Sequence, residues 1–527
     1  MNRPRLLHEL VAHAAATAPD APALFQKDTR LSFAQLQAQI ETFASALAGL
    51  GLLPDERVAV YLPKQIEAVV SIFGASAAGG VIVPVNPLLK PQQVAYILKH
   101  CNVRVLVTSA ERARQLERVL AECHDLNTLV LVAPEDGFET ASALRMLAWE
   151  ALMRVPPKAV HTRIDTDMAA ILYTSGSTGL PKGVVLSHRN MVAAAESTAE
   201  FLELTRDDRL LAVLPLSFDY GLSQLTSAYA AGGSVVLMEY LLPRQVIKNI
   251  ARFGVTGVSA VPPIWNQLAV LDWPQEAVDS LRYITTSGGV ARKATLRSLR
   301  TKLPKTRVFK MYGLTEAFRS SYLRPEEIDE RPDSVGKAVP SARLSVVRED
   351  GSPCAPGEPG ELVHRGSLVA MGYWNDPART RERFRPAPGQ SAGLVLPEIA
   401  VWSGDQMQMD EDGYLYFVSR KDEMIKTSGY RVSPTEVEEV VFASGLVAEA
   451  VALGVPHPEL GQAIVLLVHA GHGKTLEAAR LLDYCREQLP TYMIPAHVAV
   501  RDDLPKNPNG KIDRAALTAE YRDYFTQ

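Results

Sequence analysis

The chain has 527 residues, too many for one ordinary hydrophobic core, and 47% apolar content, which is that of a globular protein. A formal net charge of −4 leaves no footprint for nucleic acid, and no stretch approaches the roughly 18 apolar residues that span a bilayer. Four scattered cysteines (101, 123, 354, 485), with no C-x-x-C pair, argue against a zinc site or disulfide framework and fit a reducing cytoplasm. The N-terminus, "MNRPRLLHELVAHAAATAPD", is interrupted by His8, Glu9 and His13, and reads as an amphipathic helix rather than a signal peptide. Short β-branched runs follow: "VAVYLP", "VIVPV", "VRVLVTS", "LLAVLP", "SVVLM", "GVSAVP" and "LRYITTS". Helical patterns such as 65–78 and 291–303 separate them, and this alternation predicts layered α/β structure with mostly parallel sheets. From about Ser334 the texture changes to Gly/Pro turns between short alternating strands, which predicts a β-rich subdomain, with 385–398 as a loop. After "YLYFVSRKDEMIK" a small α+β unit begins, with helices over 434–444 and 476–489 and strands "AVALGV" and "AIVLLV". The boundary falls near 420–422, so the expected domains are 1–420 and 421–527.

Between the strands "AAILY" and "VVLS" lies "TSGSTGLPKG", rich in glycine and hydroxyl side chains. Glycine loses more backbone freedom on folding than any other residue, so ordering such a loop is costly without a ligand or a tight turn to hold. A Walker A loop needs G-x-x-x-x-G-K-[ST] leading into a helix, whereas Lys182 follows Pro181 and precedes Gly183. Small residues can still wrap phosphates with N–H and O–H donors while the lysine supplies a point charge. The plain alternative is a flexible surface linker.

In order along the chain come "AAGGVIVPVNP", "TSGSTGLPKG", "MYGLTE" at 311–316, "GYWNDPARTRERF" at 372–384, "SGDQMQMDEDGYLYFVSRKDEMIKTSGYRVSPTEVEE" from Ser403, and "LPKNPNGKIDR" at 504–514. This series resembles the adenylate-forming superfamily of acyl-CoA synthetases, peptide-synthetase adenylation domains and luciferases. Within it, the chain looks most like free-standing exosortase-associated acyl-CoA ligases and prolyl-carrier-protein ligases. Ser403 stands where threonine is usual, and Ser419 where glycine usually precedes the arginine.

The resemblance implies ATP-dependent activation of a carboxylic acid to an acyl-adenylate, with pyrophosphate leaving, and then capture by a thiol. On that pattern Thr174, Ser175, Gly176, Ser177, Thr178, Gly179 and Lys182 clamp the ATP phosphates. Glu316 binds magnesium, a hard ion suited to an oxygen donor. Tyr312 stacks on adenine and Thr315 bonds to the α-phosphate. Asp405, acceptor-only when ionised, takes the ribose hydroxyls together with Arg420. Lys511 is matched to the catalytic lysine that bridges substrate carboxylate and α-phosphate. It lies on the small domain, so the site is complete only when the domains close. Asp422 matches the hinge about which the small domain turns, bringing "KTSGYRVSPTEVE" to line a tunnel for the thiol. Taken singly, these residues have plainer readings: a solvated glutamate, a core aromatic, surface ion pairs, a lysine on an Asn-Gly turn.

The acid pocket is expected between Phe218 and Ser320, with Asp219, Ser287, Gly288, Gly289, Met311 and Arg319 among its residues. Asp219, among apolar neighbours at a helix start, is either an N-cap or the partner of a substrate ammonium, as in amino-acid-activating relatives. Arg319 could pair with Asp219, meet a second substrate carboxylate, or point to solvent. The expected substrate is an amino or imino acid such as proline, with a fatty or aryl acid as the alternative. A luciferase-like oxygenase and a silent nucleotide-binding protein are further alternatives; retention of Lys182, Glu316, Asp405, Arg420 and Lys511 together disfavours the latter. The acceptor is CoA or the phosphopantetheine of a carrier protein supplied in trans.

Overall fold

A computed structural model describes residues 3–133, 144–156, 158–174, 180–289, 291, 293–390, 393, 395–420, 424–470, 476–505 and 512–526. Among these, three sheets are formed. One is built on the parallel strands Arg57–Tyr61, Val81–Pro84, Val103–Ser109 and Thr128–Val132. Met168–Thr174 joins them in parallel, and Lys182–Ser187 folds back antiparallel beside it with Thr174 opposite Lys182. Thr174 and Lys182, on either side of the glycine-rich segment, therefore face each other on paired strands, and the lysine begins the return strand.

The second sheet has a parallel centre of Arg209–Ala212, Ser234–Leu237, Gly257–Ala260, Tyr283–Thr286 and Arg307–Tyr312. These runs are buried along nearly all their length and rich in apolar residues, as strands covered on both faces tend to be. The β-rich part is not a detached sheet. Ser321–Leu323 and Ser334–Ala338 extend this same sheet antiparallel and carry it into Ala342–Val347, Gly360–Gly366, Ile399–Met409 and Leu415–Arg420. The segment after Ser334 continues an edge already present, and Ala342–Val347 becomes the outer strand.

Against the second sheet packs the helix Asp219–Ala230, in which residues Asp219 to Tyr229 are all buried. Gly221 permits its closest approach, since a Cβ there would come within 1.9 Å of the Pro215 carbonyl oxygen. Any side chain at that position would drive the helix off the loop that leads into it.

The smaller unit packs the helices Pro434–Ala443 and Ala478–Gln488 against the strands Ile425–Thr427, Tyr430–Val432, Glu449–His457, Gly461–His469 and His497–Val500. Its first hairpin enters the cleft of the larger unit. Gly429, at φ +85°, lies so close to Val261 that a Cβ would stand 2.7 Å from its side chain. Gln93 of the larger unit donates to Glu436 at 3.2 Å. Among the described residues no helix is long and apolar enough to cross a membrane.

Candidate active site

Lys182, at the start of the return strand, places Nζ 2.8 Å from Glu316 Oε1 and 2.8 Å from the Tyr373 hydroxyl. Tyr373 donates to the same Oε1 at 2.6 Å, which closes a buried triangle. Glu316 arrives on the 3-10 turn Thr315–Ala317, whose backbone is tied to the segment after Gly366 by the bond from Ala370 N to Glu316 O. Burial opposes ionisation of Glu316, but Lys182, the charge of Arg431 and the two hydrogen bonds hold its carboxyl well below the usual range. Burial pulls Lys182 down, with Glu316 opposing.

Tyr312, ending the strand Arg307–Tyr312, is buried and donates its hydroxyl to Asp405. Asp405 lies opposite Arg420 in the antiparallel ladder, so the two expected ribose contacts share one rung. Its backbone N–H is held by the Ser403 hydroxyl at 3.1 Å, so the serine keeps the bonding function of a threonine.

Asp219 is not an N-cap. Phe218 is the cap residue, with no side-chain cap bond, and Asp219 is the first residue inside the helix. Its Oδ1 accepts the N–H of Tyr220 at 2.6 Å and its Oδ2 accepts the Thr315 hydroxyl at 3.1 Å. Burial raises its pKa, with Arg319 the largest opposing influence. Among the described residues no cation lies within ion-pair distance of it.

Thr174, Phe218, Asp219, Ser287, Gly288, Thr315 and Arg319 all border one cavity of about 150 Å³. Tyr220 borders it as well, with its hydroxyl 2.5 Å from Thr285 Oγ1, while Trp265 donates to the Thr285 carbonyl at 2.9 Å. Three expected pocket residues do not border it. Met311 belongs to the main core, Ser320 is turned away with its hydroxyl 2.9 Å from His364 Nδ1, and Gly289 is exposed beside Pro262. Ser175, Gly176, Ser177, Thr178, Gly179, Asp422 and Lys511 lie outside the described residues, as does the side chain of Arg420.

Tyr373 is legible in "GYWNDPARTRERF", but nothing in that motif reveals that its hydroxyl reaches Glu316. Arg431, Tyr430 and Glu436 border the same cavity from the smaller unit. A second cavity of about 650 Å³ adjoins it, sharing Pro84, Asn86, Ser217, Phe218, Gly429, Tyr430 and Tyr492 as walls.

A family model described as AMP-binding enzyme matches residues 11–374, and that of the AMP-binding enzyme C-terminal domain matches 436–511. The chain belongs to the AMP-binding enzyme family. A long-chain-fatty-acid–CoA ligase of Salmonella typhimurium is 31% identical over 551 aligned positions, covering 99% of this chain and 95% of that protein. A linear gramicidin synthase of Brevibacillus parabrevis is 29% identical over 97% of this chain, but over only 10% of its own length. Among solved structures, o-succinylbenzoate CoA synthetase of Bacillus subtilis, a double mutant bound with a product analogue, superposes with a TM-score of 0.82 at 27% identity. That match covers 96% of this chain and 97% of the other. As a member of this family the chain is an AMP-forming acid–thiol ligase with a mixed α/β fold, and it activates its acid by adenylation.

Proposed function

We propose that this ligase activates a small α-amino or imino acid and passes the acyl group to CoA or to a carrier-protein phosphopantetheine. The observation that carries the reading is Asp219: a buried carboxylate on the cavity wall, bonded to one N–H and one hydroxyl. A buried carboxylate calls for a cation, and a substrate ammonium supplies one. The cavity is small, about 150 Å³, and Tyr220 on its wall is hydrogen-bonded to Thr285, which favours a compact acid over a long acyl chain. Among such acids the resemblance read from the sequence points to proline, which would use the Asp219 contact alone.

In this reading segment 174–179 and Lys182 hold the ATP phosphates, Tyr312 packs on adenine, and Asp405 and Arg420 take the ribose. Thr315 turns its hydroxyl from Asp219 to the α-phosphate, and Lys511 bridges that phosphate and the acid. Positive charge placed where two anions must meet supplies most of the acceleration. Magnesium suits the residues present: Glu316 is one ionised, buried carboxylate, and the described residues hold no cluster of three metal-ligating side chains. One carboxylate plus phosphate oxygens is the usual way this ion is held. Bound there, it would neutralise charge on the departing pyrophosphate. Domain 421–527 turns about Asp422 between the two half-reactions, and the larger cavity, walled by Gly429, Tyr430 and Tyr492, admits the thiol arm.

The test is acid-dependent exchange of labelled pyrophosphate into ATP across amino, imino, fatty and aryl acids, with wild type and Asp219→Asn. An amide keeps the bond from Tyr220 N–H but removes the charge, so amino-acid exchange falls by roughly two to four decades while folding holds. Exchange with medium-chain acids and with no amino acid overturns the reading. The fatty-acid alternative is favoured by the names of the relatives at 31% identity, and that outcome would establish it.

A further inference from the structure

Arg319 is only 3% exposed, yet little satisfies it. Its guanidinium lies over the Tyr220 ring at 4.6 Å, and Nη2 reaches Ser223 Oγ at 3.4 Å, the weak limit of a hydrogen bond. Its Nε is buried with no partner among the described residues. The residue before it, Phe318, stands at φ +57°, ψ −57°, a conformation rare for an aromatic side chain, and this turn sets Arg319 on the cavity wall. One helical turn beyond Tyr220, Gln224 Oε1 is also buried and without a partner among the described residues. Asp219 and Arg319 thus present opposite charges to one cavity without forming an ion pair. Burial disfavours the charged guanidinium, and Tyr220 and Asp219 only partly offset this. A planar fork of donors in a dry wall is the usual receptor for a carboxylate.

We infer that Arg319 determines specificity by holding a second carboxylate of the substrate, remote from the one that reacts. The inference rests on the reading of this cavity as the seat of the acid. Combined with an ammonium at Asp219, it makes the preferred substrate a small acidic amino acid, the aspartate or glutamate class. Proline, which fills the Asp219 side alone, leaves Arg319 Nε unmet. An alkyl acid leaves both groups unmet.

Four acids of one chain length separate the two groups: glutamate carries the ammonium and the second carboxylate, glutarate the carboxylate, norvaline the ammonium, and valerate neither. A four-carbon set (aspartate, succinate, 2-aminobutyrate, butyrate) covers the shorter reach. With full-length enzyme in pyrophosphate exchange, the second carboxylate should raise kcat/KM about 10²-fold or more in both pairs of a set. Arg319→Met should abolish that advantage, and Arg319→Lys should keep part of it, since the charge remains and the fork is lost. Wild type that prefers neither diacid, or an Arg319→Met enzyme that lowers all four acids alike, overturns the inference. The second result would mean that Arg319 only balances the charge of Asp219. An advantage for the second carboxylate without one for the ammonium sinks the Asp219 reading and leaves this one standing; the converse does the opposite. If Arg319→Met does not fold, as judged by its thermal midpoint, the wild-type series and the lysine variant decide.

Discussion

Glu316→Gln removes one charge from the buried triangle while keeping its shape. Lys182 is 12% exposed and Glu316 6% in their side chains, so solvent screens the pair little. Removing one partner of such a pair typically costs about 3–5 kcal/mol, because the other charge is left buried. Lys182 would keep the Tyr373 hydroxyl at 2.8 Å and gain an amide oxygen, which places the effect near the lower end, about 3 kcal/mol. A double-mutant cycle with Lys182→Met measures the coupling, read from the denaturant midpoint of the larger domain. The double variant should lose less than the sum of the single ones by about 1–3 kcal/mol. Glu316 also has a defined pH signature. Its folded pKa is depressed, so its contribution is complete above the ordinary carboxylate range and disappears only as pH falls through the folded value. At pH 7 the single variant should therefore show the full loss. In pyrophosphate exchange it should be slower by ~10²–10³, the usual effect of removing one charge-stabilising contact. A Glu316→Gln protein that unfolds at the wild-type midpoint at pH 7 would refute the picture of a desolvated pair. Normal exchange would remove Glu316 from the metal site.

Lys511→Ala should reduce adenylation by ~10²–10³ and spare thioester formation from supplied acyl-adenylate; equal damage to both steps would contradict a lysine used in one domain arrangement only. Asp422→Pro should do the reverse, because proline fixes φ at the hinge, and normal rates for both steps would place the hinge elsewhere. Tyr312→Phe leaves the buried Asp405 short of a donor, and should raise the KM for ATP and lower stability by about 1–3 kcal/mol; an unchanged KM, measured with saturating acid, would make Tyr312 a packing residue only. Burial pushes His188 down to about 4 and His364 down to about 3. Because the unfolded chain takes up these protons first, stability should fall as pH drops below about 6.5, by about 1.4 kcal/mol per unit for each histidine. Unfolding midpoints flat from about pH 6.5 to 4.5, or a pH dependence unmoved by replacing both histidines, would count against it.

Much of this protein is written locally. The parallel strands show as β-branched runs because strands covered on both faces are mostly apolar, and the residues expected to handle the nucleotide fall within motifs only a few residues long. Thr174 and Lys182 flank one loop, and Thr315 and Glu316 share one turn, so chain connectivity alone keeps them together. The rest depends on pairings that no local pattern encodes. Strand Pro22–Gln26 joins the second sheet beside Ser234–Leu237, and nothing in so short a run specifies a partner that far along the chain. A cap stands among the sequence readings of Asp219, beside an ammonium partner, because capping is a rule of sequence neighbours; its contact with Thr315 exists only once helix and turn have packed. Tyr373 and Arg431 act on Glu316 from two other parts of the chain. The same holds for Arg319. Its sequence context allows an ion pair, a ligand contact or a solvated side chain, and only tertiary packing buries the guanidinium over Tyr220 and leaves its Nε without a partner among the described residues.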